Sequence, residues 1–240
     1  PIDVYVVGEV EPGEERRWIL EAFAEAVNAQ EGGESGGRAS YVRPAPAAPA
    51  REAQTVVEEM DVSQGKLSMG LRVPANAGGD GYAAALMYNG ILGGFPHSKL
   101  FLEVREKASL AYYAYSRVDA FKGILTIQAG IEASNFGKTV EIIRRQLDAM
   151  RAGTFTEQEF SQTKAMLANQ LRQQGDSAFE LIGFDFNSVL TGRERTPERL
   201  LEEIGRVRPD DVVEYAQQVR LDTIYFLRGP GQGTEGGGAA

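Results

Sequence analysis

The chain has 240 residues, 42 % of them hydrophobic, which is enough for one large domain or two small ones with a real core. A formal net charge of −9 without any basic cluster excludes a general nucleic-acid binder, and no apolar run reaches the ~18–20 residues of a membrane span. With no cysteine and a single histidine, His97, the chain can form neither disulfides nor thiolate metal ligands, and it lacks the His pair of an ordinary zinc site.

No charged stretch followed by an apolar one opens the chain, so no secretory leader is expected, and the lack of cysteine suits a cytoplasmic home. Pro1 stands where a Met would begin a nascent protein, which points to a processed or excised piece.

The elements follow in order. PIDVYVVG alternates around Ile2, Val4 and Val6 and predicts a strand. Residues 12–29 carry an early proline, acids in the first turn and apolar residues at helical spacing, so a helix is expected. Gly-, Pro- and Ala-rich sequence over 30–52 reads as an extended loop inside one domain. TVVEEM and GKLSMGLRV read as strands, the second with Leu67, Met69, Leu71 and Val73 on one face.

Asp80 is the expected N-cap of the helix GYAAALMYNGILGG, whose glycines end it, and Ser98 caps KLFLEVREK. YYAYSRVD and GILTIQAGIE form two alternating runs about a Phe-Lys-Gly turn, the pattern of a long hairpin. Ser134 opens the next helix, and Thr156-Glu-Gln-Glu159 is a capping box before another. Three more helices follow, DSAFELIGFDFNSVLTG, TPERLLEEIG and PDDVVEYAQQV, before the closing strand DTIYFLRG. The fold class is therefore α+β, a mixed and mainly antiparallel sheet with helices packed on one face. Residues 1–229 are read as one domain and 230–240 as a disordered Gly-rich tail.

The candidate chemistry is sparse. LGGFPHSKLF has neither phosphate-loop spacing and reads as one helix end followed by a helix start, with His97 a loop or surface residue. Glu157, Glu159, Asp176 and Glu180 sit at helix starts, where acids favour the dipole. Arg105 and Tyr112 are seven residues apart, across a helix-to-strand junction. Alternation puts Tyr113 and Tyr115 on one strand face and Tyr112 on the other. On the residues alone, Tyr112 reads as half-buried core rather than a functional group, and Arg105 as a surface partner of Glu103 or Glu106.

The stretch Leu92-Gly93-Gly94, Ser98-Lys99-Leu100-Phe101, then Arg105-Glu106-Lys107-Ala108-Ser109-Leu110-Ala111-Tyr112 closely resembles the second, non-zinc half of the insulinase/pitrilysin metallopeptidases, the inverted zincins. The likeness runs over about residues 2–229 and is nearest the bacterial type built from two paired subunits. The resemblance implies a clamshell of two related α+β halves around an unfolded peptide. The zinc, held by H-x-x-E-H and a distant Glu, would lie in the partner half: the N-terminal half of the same polypeptide or a related zinc-bearing subunit. Arg105 and Tyr112 occupy the positions of an Arg/Tyr pair that reaches the substrate across the chamber, as catalytic and substrate-binding residues. H-x-x-E-H is absent here, so the chain is expected to hold no cofactor and no metal and to cleave nothing alone. Isolated, such a half leaves its partner-facing surface open to homodimerisation. The rival reading is a catalytically inactive scaffold that keeps the fold, like the bc1 core proteins resembling this family.

Overall fold

Gly65–Arg72 (β2) alternates as the sequence predicts: Leu67, Met69 and Leu71 are buried, while Lys66, Ser68 and Arg72 are not. In the computed structural model, which describes residues 4–9, 11, 13–24, 52–74, 77–231 and 233, β2 is the middle of a five-stranded sheet. The other strands are β1 (Gln54–Glu59), β3 (Ala111–Asp119), β4 (Ile124–Ile131) and β5 (Arg220–Arg228). Their order is β1-β5-β2-β4-β3, with β1 parallel to β5 and every other pair antiparallel.

The apolar face of the sheet is covered by helices: α2 (Tyr82–Asn89), α3 (Phe101–Lys107), α4 (Phe136–Arg151), α5 (Glu157–Gly175), α6 (Ala178–Thr191), α7 (Pro197–Arg206) and α8 (Pro209–Gln218), after an earlier α1 (Glu14–Ala22). Ile127, Ile131 and Phe226 from the sheet meet Met87, Ile91, Ile143 and Val212 from the helices in one core. Each such side chain contributes about 1.5–3 kcal/mol on burial. The opposite face of the sheet is polar, with Thr126 and Gln128 on β4 and Ser68 paired directly across from Gln128. The α+β reading therefore holds, and the helices lie on one face. No helix among the described residues is long and apolar enough to cross a membrane.

The hairpin also stands as read. Gly123 takes a positive φ of 67° at its turn, and the Asp119 carboxylate accepts from the backbone N–H groups of Phe121 and Lys122. The capping box is complete, with Thr156 Oγ1 accepting from Glu159 N and Glu159 Oε2 accepting from Thr156 N.

Several expectations fail. Residues 4–7 form no strand, and Val4 and Val6 stay exposed. Asp80 caps nothing. Gly81 is the N-cap of α2, and the Asp80 carboxylate is taken by Arg193 at 2.6 Å. Gly93 and Gly94 do not end their helix with left-handed caps. The helix does end at Gly94, but through a π-type turn, Gly90–Gly94, that prolongs α2, with Gly93 where the backbone comes close to β3: a Cβ there would meet Ser116 N at 2.5 Å. The Ser98 hydroxyl is buried without a hydrogen-bond partner, although its carbonyl accepts from Leu102 N at 2.9 Å. Ser134 falls inside a 3-10 turn, Ala133–Asn135, and Asn135 precedes α4. The far end of the 12–29 helix, the 30–52 connection and the 230–240 tail lie almost wholly outside the described residues.

Candidate functional site

Arg105 belongs to the last turn of α3, whose buried Val104 fixes the helix against the core. The chain leaves that helix through Ser109, the one non-glycine residue of positive φ (52°) among the described residues. Leu110 then turns inward, its N–H donating to Val104 O at 3.1 Å and its side chain buried. This is a C-terminal reversal of the kind glycine usually serves. Here a serine serves it, with its hydroxyl 3.4 Å from Glu106 O.

β3 begins at once, and its register slips. Ala111 pairs with Ile131 and Tyr113 with Gly130, so Tyr112 is the extra residue of a bulge opposite two adjacent residues of β4. Strict alternation assigns Tyr112 to the helix-facing side with Ala114 and Ser116. Those two are buried, yet Tyr112 is 64 % exposed. The half-buried reading of Tyr112 is thus overturned, and the bulge is the reason. Tyr113 and Tyr115 do share a face, with ring centroids 5.9 Å apart.

Arg105 and Tyr112 each lean on their own acid. Arg105 Nε lies 3.8 Å from Glu106 Oε1, and its guanidinium sits 4.6 Å from the Phe101 ring centroid. Glu103, the other acid weighed for it, pairs instead with Lys107 at 2.6 Å. The Tyr112 hydroxyl donates to Glu132 Oε1 at 2.9 Å, and that bond together with the carboxylate charge raises the phenol above its ordinary pKa. Glu132 and Ser109 escaped sequence reasoning. Unshifted hairpin register would have set Ile131, not Glu132, across from Tyr112.

The arrangement offers a permanent cation and a neutral donor at one junction, which suits binding peptide carbonyls and stabilising an oxyanion. It does not offer a zinc site. His97 Nε2 lies 2.9 Å from Thr163 Oγ1, its ring stacks on Phe95, and no group of three His, Cys, Asp or Glu among the described residues is arranged to hold a metal. His97 is thus a half-buried loop residue, as read. Elsewhere, an open cavity of about 620 Å³ lies between α2, α7 and α8 and is lined by Arg193, Glu203 and Arg206, but neither Arg105 nor Tyr112 reaches it. Its arginines are already paired, Arg193 with Asp80 and Glu203 and Arg206 with Glu202.

Residues 2–167 match the family model described as the peptidase M16 inactive domain. The chain belongs to that family. Over 228 residues it is 39 % identical to the "Probable inactive metalloprotease YmfF" of Bacillus subtilis, a match covering 95 % of this chain and 51 % of the relative. The chain therefore spans about half the length of that curated M16 relative. A conserved protein from Enterococcus faecalis V583 superposes with a TM-score of 0.73 at 36 % identity, covering 78 % of this chain and 44 % of that one. The peptidase M16 inactive domain from Pseudomonas fluorescens gives a TM-score of 0.68 at 20 % identity over 90 % and 52 % of the two chains, a likeness of fold. The insulinase-type resemblance and the metallopeptidase-like character of the chain thus stand, and within the M16 family it is an inactive-domain member.

Proposed function

We propose that this M16 inactive domain is the substrate-binding, non-zinc part of a zinc-dependent metalloendopeptidase acting on unfolded peptides. Arg105 and Tyr112 hold the peptide carbonyl and would stabilise negative charge developing on its oxygen, while zinc bound in a partner would supply the activation of water. The zinc belongs to a partner, either another segment of the same polypeptide or a related subunit. The observation that carries this reading is the bulge at the start of β3, which turns Tyr112 out of the core and into solvent just beyond the helix that bears Arg105. A purely structural tyrosine at that point of the alternation would be expected to stay inside. The cysteine-free composition supports a cytoplasmic setting.

Zinc content and peptide cleavage, measured together on the native full-length parent and then on its Arg105→Ala and Tyr112→Phe variants, test it. Each substitution should leave zinc content unchanged and lower turnover by about 10²–10³, the usual loss for one oxyanion donor. Unchanged cleavage by both variants would remove the proposal.

A second reading, an inactive scaffold or assembly subunit, is favoured by the relative whose printed name calls it a probable inactive metalloprotease. A stable complex that cleaves no extended peptide would decide for it.

A further inference from the structure

Tyr112 meets the solvent with its hydroxyl already committed. A phenol has one hydrogen to donate and two lone pairs to offer. That hydrogen goes to Glu132 Oε1 at 2.9 Å. While it does so, the phenol cannot donate to a peptide carbonyl.

The acceptor is an exposed acid whose place is set by the backbone. Glu132 follows the last residue of β4 and precedes the 3-10 turn Ala133–Asn135, with extended backbone angles of φ −70° and ψ 143°. It follows Ile131, the partner of Ala111, and its side chain reaches back to the bulged residue. Its carboxylate also carries the wrong sign for an oxyanion, and the acid beside the Arg105 guanidinium is Glu106. In this state the chain's own acid occupies the Tyr112 hydroxyl, while Arg105 keeps Glu106 only at ion-pair distance, 3.8 Å.

We infer that Glu132 is a positioning residue for Tyr112: it latches the phenol at the bulge until a peptide carbonyl takes its place, so that loading the site exchanges one acceptor for another on the same hydroxyl. This rests on the substrate role proposed for Tyr112. A peptide that offers a good carbonyl acceptor at Tyr112 releases the latch, and one that does not leaves the phenol on Glu132. Glu132 thus sets how readily the site loads, without touching the reacting atoms.

Two readouts on the full chain test the latch. In the first, tyrosine ring carbons are labelled and followed by NMR through an alkaline titration, with the Tyr112 signal assigned by its loss in Tyr112→Phe. Tyr112 should titrate above an ordinary phenol and move back towards it in Glu132→Gln. An unchanged titration overturns the latch. In the second, the fluorescence anisotropy of dye-labelled, reduced and carboxymethylated lactalbumin reports binding of an unfolded polypeptide. Glu132→Ala should bind severalfold tighter than the parent, with Glu132→Gln in between because it keeps an acceptor without the charge. The gain should vanish when Tyr112→Phe is added. Equal or weaker binding by Glu132→Ala overturns the inference. If Arg105→Ala and Tyr112→Phe bind the polypeptide as well as the parent does, the proposed function fails and takes the latch with it. An unchanged titration alongside binding that still depends on Tyr112 defeats the latch alone.

Discussion

Lys99 Nζ lies 3.2 Å from Glu159 Oε1, and the two side chains keep only 10 % and 19 % of their exposure. The other oxygen of the same carboxylate, Oε2, accepts from Thr156 N at 2.7 Å and caps α5. One acid therefore both starts a helix and neutralises a cation buried just before α3.

Glu159→Gln should destabilise the chain by about 3 kcal/mol, because it leaves the Lys99 ammonium buried without its anion. Lys99→Met should cost less than half as much, since Glu159 keeps its backbone partner in the capping box. Urea unfolding of both variants and of the double variant measures the coupling. Equal losses for the two single variants would show that the pair does not act in this way.

Gly93→Ala should cost about 1–3 kcal/mol or more, since an added methyl has to fit where less than contact distance is available. The Cβ would stand 2.5 Å from Ser116 N and 2.8 Å from Leu100 Cδ1, and backbone does not yield as a flexible side chain does. Gly70→Ala is the control. Nothing lies within 4 Å of its Cβ position, and it does not require a positive φ. It should be neutral or stabilising by up to ~1 kcal/mol through the lost freedom of the unfolded chain. Thermal melts of the pair check both signs.

Ser109 should tolerate glycine and resist branching. Its φ of 52° is left-handed, a region that strains a residue with a side chain by roughly 1–2 kcal/mol. Ser109→Gly should leave stability level or slightly raised, while Ser109→Val should lower it by at least that strain. Denaturant midpoints report the difference. A loss of stability in Ser109→Gly would mean that the hydroxyl contact with Glu106 O outweighs the strain.

His97 should make the chain acid-sensitive. Thr163 Oγ1 donates to Glu159 O at 2.8 Å, so the His97 Nε2 facing that hydroxyl is the donor. Burial lowers the imidazole pKa from 6.5, more than the nearby Glu159 carboxylate raises it. The folded chain then binds this proton less readily than the unfolded one. Stability from this group is present above the ordinary imidazole value and is lost as pH falls through it towards the lowered folded one. Between about pH 7.5 and about pH 5.5, the parent's urea midpoint should fall further than that of His97→Gln. A parallel decline would put the sensitivity elsewhere.

Much of this architecture can be read from residue pattern. The hairpin of β3 and β4, the α5 capping box and the buried stripe of β2 follow from alternation and cap chemistry, because each is decided within a few neighbouring residues. The candidate site is less legible. Arg105 and Tyr112 can be picked out by their motif, but period-two reasoning sends Tyr112 inward, and only strand register exposes the inserted residue. Glu132 matters through a contact across the hairpin, twenty residues from Tyr112, which no local pattern announces. The glycines at 93 and 94 mislead for a related reason. Glycine signals either a left-handed cap or a close approach, and at Gly93 the difference lies in β3, which comes later in the chain. At the N-terminal end the alternation of Val4 and Val6 is genuine, but residues 4–7 form no strand.

The strand order has a consequence for how the molecule is made. β5 is the last strand in sequence, yet it lies between β1 and β2. During synthesis, β2, β4 and β3 can associate as soon as their hairpin has emerged, whereas β1 has no neighbour among the described strands until residues 220–228 arrive. The keystone is thus delivered last. A ribosome stalled before Arg220 would release a chain with its sheet split in two, β1 orphaned and the inner edge of β2 bare, which is the kind of unpaired edge that aggregates. Truncation before Arg220 should therefore yield a β2-β4-β3 remnant with a bare edge, prone to aggregate.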